Sequence, residues 1–184
     1  DGVALDGLTS IALSGDLLAV AVPADDKSDN GFILFYTGVS GSAPVFLKAV
    51  EVGNLPDMVT FTPDGSKVLV ANEGEPSGDY TIDPEGSVAV ITVTDGVPAD
   101  TATLIDFTEF NSQKAGLMAM GMHFPNPEGR TINGVTITTS VAQDLEPEYI
   151  TANNDTAFVT LQENNGVAVI DLTSLEVNVL GLGF

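Results

Sequence analysis

Cysteine and tryptophan are absent from the 184-residue sequence, and histidine and arginine occur once each, as His123 and Arg130. Without cysteine there can be no disulfide, no thiolate metal site and no cysteine nucleophile. One histidine alone cannot assemble a zinc site of ordinary type. Ser-His-Asp catalysis would need His123 as its base, and no Gly-x-Ser-x-Gly elbow accompanies it, so His123 reads as a surface or loop-packing residue. Five basic side chains against 26 acidic ones leave a net charge of −21. That balance excludes nucleic acid and anionic membranes as partners, because both are held by clusters of Lys and Arg. No apolar run approaches the ~20 residues of a membrane-spanning helix, and no transmembrane segment is expected. The sequence starts at Asp1 with neither Met nor a signal-type segment, and the expectation is a mature or clipped piece of a longer protein.

What is present is a hydrophobic content of 43%, too high for an acidic disordered tail and sufficient for a core. It comes in short runs rich in Val, Ile, Phe and Thr: Leu17–Val22, Phe32–Tyr36, Val68–Ala71, Val88–Val93, Phe158–Leu161 and Val167–Leu172. Each run is of strand length and bounded by Gly, Pro, Asp or Asn, so the chain reads as all-β. Pro63-Asp64-Gly65 has the order of a tight turn, and Asn30-Gly31 and Asn165-Gly166 read the same way.

The strands repeat. Pro56-Asp57-Met58-Val59-Thr60 aligns with Pro147-Glu148-Tyr149-Ile150-Thr151, and Val88-Ala89-Val90-Ile91 recurs unchanged as Val167 to Ile170. With one residue deleted at Gly65, Lys67 to Glu73 falls on Ala157 to Glu163. A fainter copy runs from Ser10 to Phe35. Units of this size built from antiparallel strands point to a partial β-propeller with three blade-like units, about 1–47, 48–108 and 141–184. The second and third are separated by an insertion over 109–140, with a short helix near 109–121 whose Phe110, Lys114, Leu117 and Met118 share one side. Met118, Met120 and Met122 are read as packing of that helix and its exit. Residues 177–184 read as a strand beginning the next connection. Three units do not close a propeller, so further blades, from a longer chain or another copy, are expected partners.

Several strings are more specific than the pattern. Gly-Asn-Leu-Pro-Asp-Met-Val (53–59), Phe-Thr-Pro-Asp-Gly (61–65), Val-Ala-Asn-Glu-Gly-Glu-Pro (70–76) and Asp-Pro-Glu-Gly-Ser-Val (83–88) resemble the choice-of-anchor I family. So do Phe-Asn-Ser-Gln-Lys (110–114), Ala-Gln-Asp-Leu-Glu-Pro-Glu-Tyr-Ile (142–150) and Leu-Gln-Glu-Asn-Asn-Gly-Val-Ala-Val-Ile-Asp-Leu (161–172). The resemblance implies a bacterial secreted or surface protein, extracellular or periplasmic, with a propeller related to surface-layer repeats and longer than this chain. It supplies no biochemical activity to carry over.

The acidic residues gather at strand ends. The alignment superposes Asp57 with Glu148 and Glu73 with Glu163, and Glu75, Glu85 and Glu146 lie in the neighbouring loops. Equivalent propeller loops converge on one face, where carboxylates repel unless neutralised. A hard cation with six to eight oxygen ligands meets that need, so these seven residues are the expected Ca²⁺ ligands; the alternative is a set of solvated loop acids. Asp25 to Gly31 resembles half an EF-hand loop, but Thr37 stands where the bidentate Glu belongs. The expected role is a secreted or surface interaction module stabilised by calcium, with a surface or matrix ligand. The alternative is a metal-dependent phosphoesterase on the same mouth, in which metals would replace the scarce basic residues; no catalytic residue is identified. Glu146 and Glu148 alone do not make a glycosidase site.

Overall fold

The computed structural model describes residues 3–41 and 43–183. Residues 1, 2, 42 and 184, which fall inside the expected units, lie outside the described residues. The chain is all-β, with three antiparallel meanders in sequence. Sheet 1 is β1 (Ser10–Ser14), β2 (Leu17–Val22), β3 (Asn30–Thr37) and β4 (Val45–Asn54) in chain order. Sheet 2 is β5 (Pro56–Phe61), β6 (Lys67–Asn72) and β7 (Ser87–Thr94), with the short β8 (Val97–Pro98) and then β9 (Thr103–Asp106) pairing to β7. A two-stranded hairpin, β10 (Thr131–Ile132) and β11 (Val135–Thr136), lies in the insertion. Sheet 3 is β12 (Pro147–Ala152), β13 (Thr156–Leu161), β14 (Gly166–Asp171) and β15 (Val177–Gly181).

Side-chain alternation explains the stacking. On β6, Val68 and Val70 pack toward sheet 1 with Ile33, Phe35, Val50 and Ile91, while Leu69 and Ala71 face the other way. That second layer joins sheet 2 to sheet 3 through Val88, Val90, Val159, Leu161 and Ile170. The middle sheet is therefore buried on both faces, which accounts for the unbroken apolar runs on β6 and β7. Strand β5 packs against β1 on one side and β12 on the other. The outward face of sheet 1 leaves Ile11 and Leu13 exposed, and that of sheet 3 leaves Tyr149, Phe158 and Leu180 exposed.

Each sheet has four principal strands where the sequence shows three per unit. The first unit accordingly runs on to Asn54 rather than ending near residue 47, because β4 pairs with β3 along its length. Residues 177–181 likewise close sheet 3 as β15 instead of leaving it. The register also shifts the sequence alignment by one residue. Val59 pairs with Val70, and its counterpart Ile150 pairs with Val159. Glu73 therefore corresponds to Gln162 and not to Glu163, because the β12–β13 turn is two residues shorter than the β5–β6 turn, not one.

Between sheets 2 and 3, over 107–146, the chain holds a 3-10 turn (Thr108–Phe110), helix α1 (Lys114–Ala119) and helix α2 (Val141–Asp144). The expected helix is thus shorter than 109–121. Phe110 and Leu117 are buried as expected, but Met118 and Met120 are exposed and only Met122 reaches the core. α2 is held by a capping box between Ser140 and Gln143. Gly65 and Asn165 take positive φ in tight turns, as expected. Asn30-Gly31 is not a turn. Both residues lie in β3, where a Cβ on Gly31 would stand 2.4 Å from Pro56 Cδ. Among the described residues no helix is long and apolar enough to cross a membrane.

Candidate functional site: a carboxylate cluster at one end of the sheets

Two β-bulges start the site. The register of β5 against β6 slips between Pro56 and Met58, and that of β12 against β13 slips between Pro147 and Ile150. Each bulge re-aims one acid, Asp57 in sheet 2 and Glu148 in sheet 3. Glu73 leaves the end of β6, Glu146 precedes β12, and Glu163 follows β13. Glu146 and Glu148 are only 7% and 8% exposed, which is unusual for glutamates without basic partners.

Burial is the main force holding protons on these acids, and mutual repulsion adds to it. Glu73 is pushed up to about 7 by burial and then by the charges of Asp57, Glu75 and Glu163, with Lys27 opposing. Glu146 is pushed up to about 8 by burial and then by Glu73, Glu163 and Asp144. Glu148 is raised to about 7 by burial, then by its side-chain hydrogen bond with Glu163 and the charges of Glu163, Glu73 and Asp57. Burial raises Asp57 as well. The nearest cation is Lys27, from the β2–β3 loop of sheet 1, whose Nζ sits 2.6 Å from the exposed Glu75 carboxylate.

Six of the seven expected residues, Asp57, Glu73, Glu75, Glu146, Glu148 and Glu163, thus act on one another. Glu85 does not join them. It is exposed and lines a different cleft with Ser28 and Asn54. Among the described residues no three acidic or histidine side chains stand at metal-ligand spacing. The donors are all oxygen and suit Ca²⁺ in type and charge, but a cation would have to draw them together.

Two neutral residues with no signal in the sequence hold the site in place. Asn164 is fully buried, and its Nδ2 donates to the carbonyls of Asp144 (2.7 Å) and His123 (3.1 Å). Its Oδ1 accepts from the Glu146 N–H at 3.4 Å, fixing the approach to β12. Gly86, whose N–H donates to the Ala142 carbonyl, lets the β6–β7 loop lie directly on the segment before β12. His123 itself is exposed. In the EF-hand-like loop, the Asp26 carboxylate is spent on the Ser28 N–H and hydroxyl, a local turn rather than a ligand set.

The chain matches the model of the choice-of-anchor I domain over residues 4–184. No curated protein matches it. Among solved structures it is similar to a periplasmic gluconolactonase, PpgL, of Pseudomonas aeruginosa, at 15% identity and a TM-score of 0.44, over 96% of this chain and 58% of that one. It is also similar to a protein from Lactobacillus plantarum at 17% identity and a TM-score of 0.46, over 98% of this chain and 57% of that one. The chain therefore spans less than two thirds of either structure. By its match along nearly the whole sequence, the chain belongs to the choice-of-anchor I family.

Proposed function

We propose that this chain is part of a secreted or surface-displayed bacterial β-propeller that serves as an interaction module, with calcium neutralising the carboxylate cluster between sheets 2 and 3. Family membership supports the location and the propeller. Three meanders stacked through β1, β5 and β12 support the propeller as well. The apolar residues on the outward faces of sheets 1 and 3 fit further blades, from a longer chain or another copy, on either side. A surface or matrix ligand is the partner this reading assigns to the assembled propeller. The single observation that carries the calcium is the burial of Glu146 and Glu148 beside Glu73, with no basic side chain in a salt bridge to either of the two among the described residues. Phosphoester hydrolysis on the same cluster has no observation of its own in its favour.

The test is a thermal melt in EDTA and in millimolar calcium. Binding to the folded state alone adds ~2.7 kcal/mol at a hundredfold excess over Kd, about 5–10 °C for a domain of this size. Calcium should raise the melting temperature of the wild type by more than that of Glu146→Gln/Glu148→Gln. An unchanged wild-type melt would remove calcium from the cluster. Chelator-sensitive turnover of p-nitrophenyl phosphate would replace the interaction reading with the enzymatic one.

A further inference from the structure

Two other carboxylates, one buried and one half-buried, sit behind the cluster, where the insertion returns to the sheets. Asp83 lies in the loop between β6 and β7, and Asp144 is the last residue of α2. The Gln143 Nε2 donates to the Asp83 carbonyl at 2.6 Å, which clamps loop and helix together. Asp144 is wholly buried. Its Oδ1 accepts from the Asn126 N–H at 3.2 Å, and its Oδ2 has no partner among the described residues. Asp83 Oδ1 is also buried without a partner. Asn126, 9% exposed, has an unpartnered Nδ2, while its Oδ1 accepts from the Tyr80 hydroxyl at a long 3.5 Å.

Buried polar atoms without partners are rare because each costs about 1–3 kcal/mol, more when charged. Here they come from three separate segments. A single proton shared between the two carboxyls would serve their free oxygens and still leave the Asn126 amide nitrogen bare. A cation resolves all of them. Turning the Asn126 amide over, an exchange of O and N that backbone geometry does not resist, lets its Nδ2 donate to the Tyr80 oxygen. Its Oδ1 then becomes a third free acceptor oxygen beside those of Asp83 and Asp144 on the neighbouring segments. Two carboxylates, one amide oxygen and water are an ordinary calcium ligand set. Asp83 also lines a cleft of about 330 Å³ with Tyr80, Thr136 and Gln143, which gives an ion a way to its carboxylate. Lys114, the nearest lysine, is taken up by Glu128 at 2.7 Å.

We propose that Asp83, Asp144 and Asn126 form a calcium site, separate from the carboxylate cluster, that ties the insertion to the β6–β7 loop. Calcium titration calorimetry on the 184-residue chain tests it, with wild type, Asp83→Asn, Asp144→Asn and the cluster variant Glu146→Gln/Glu148→Gln. Each Asp→Asn change should abolish one class of site or weaken it by about tenfold or more, and the cluster variant should retain that class. In EDTA both Asn variants should melt at or above the wild type, since each removes a buried negative charge. In calcium the order should reverse. Wild-type stoichiometry and affinity in both Asn variants would overturn the proposal, as would lower melting temperatures for both in EDTA. Should Asp144→Asn fail to fold, the half-buried Asp83→Asn decides alone. Loss of binding in the cluster variant only would uphold the cluster and overturn this site.

Discussion

Glu146→Gln is expected to raise the melting temperature of the metal-free protein and to flatten its dependence on pH between about 5 and 8. The sign comes from proton linkage. Glu146, Glu73 and Glu148 hold their protons up to about 8, 7 and 7 in the folded protein, against an ordinary 4.5. Between those limits the folded state binds more protons than the unfolded chain, so stability falls as pH rises through the window. Below 4.5 both states are protonated and the penalty vanishes. Removing the Glu146 charge while keeping the side chain's shape should recover on the order of 2 kcal/mol at pH 8, or about 4–8 °C. The three acids interact, so the titration belongs to the group and not to one residue. The exposed Asp16, Asp64 and Asp171 and the half-buried Asp79 act in the opposite sense. Hydrogen bonds from neighbouring backbone or hydroxyl groups hold each below the usual carboxylate range. Their contribution fades only as pH drops through and below that range, outside the window tested. Melts in EDTA at pH 5, 6, 7 and 8 decide the matter; a wild-type melting temperature that stays level or climbs would refute it.

Gly86→Ala should be among the most damaging single substitutions in the chain. An added Cβ would stand 2.1 Å from the Leu145 carbonyl oxygen, 2.6 Å from Pro147 Cδ and 3.1 Å from the Glu73 carbonyl oxygen. Two of those three are backbone atoms and the third belongs to a rigid ring, so no rotamer change relieves the overlap. Sheets 2 and 3 would have to part where Glu73 and Glu146 approach each other. A cost on the order of 3 kcal/mol or more is expected. Gly78 is the control, with nothing within 4 Å of its added Cβ, so Gly78→Ala should be near neutral. Urea denaturation of the two variants makes the comparison, and equal midpoints would show that the seam yields more readily than its geometry implies.

What the sequence makes legible tracks the strength of the hydrophobic signal. Strand β2 is readable to its ends because alternating Leu, Ala and Val stop at Asp16 and Pro23. The outer strand β9 is not, since Thr103 and Leu104 are exposed at the sheet margin and carry no buried period. Helix α2 advertises only its Ser140-x-x-Gln143 capping box, and four residues are too few to show helical spacing. Six of the seven acids expected at the site act on one another, because β5 and β12 repeat the same bulge. Glu85 departs from the expectation, exposed on the same loop that leaves the nearby acid Asp83 half-buried, and Asp144 has no signal in the sequence because long-range packing buries it. Neither the deeper pair nor the role of Asn164 has a signature in local spacing. Both arise where the insertion folds back onto sheet 3.

The burial of sheet 2 on both faces orders the ways in which the molecule can come apart. Amides on β1 and β15 sit in sheets with one solvent-facing side, so fluctuations can release them while the rest persists. Strands β6 and β7 have no such route, because separating either neighbour still leaves them covered by the other. Their hydrogen bonds open only when the whole stack does. Sheet 2 is thus expected to be the slowest-exchanging unit of the chain, with the carboxylates of its loops anchored to the part that yields last.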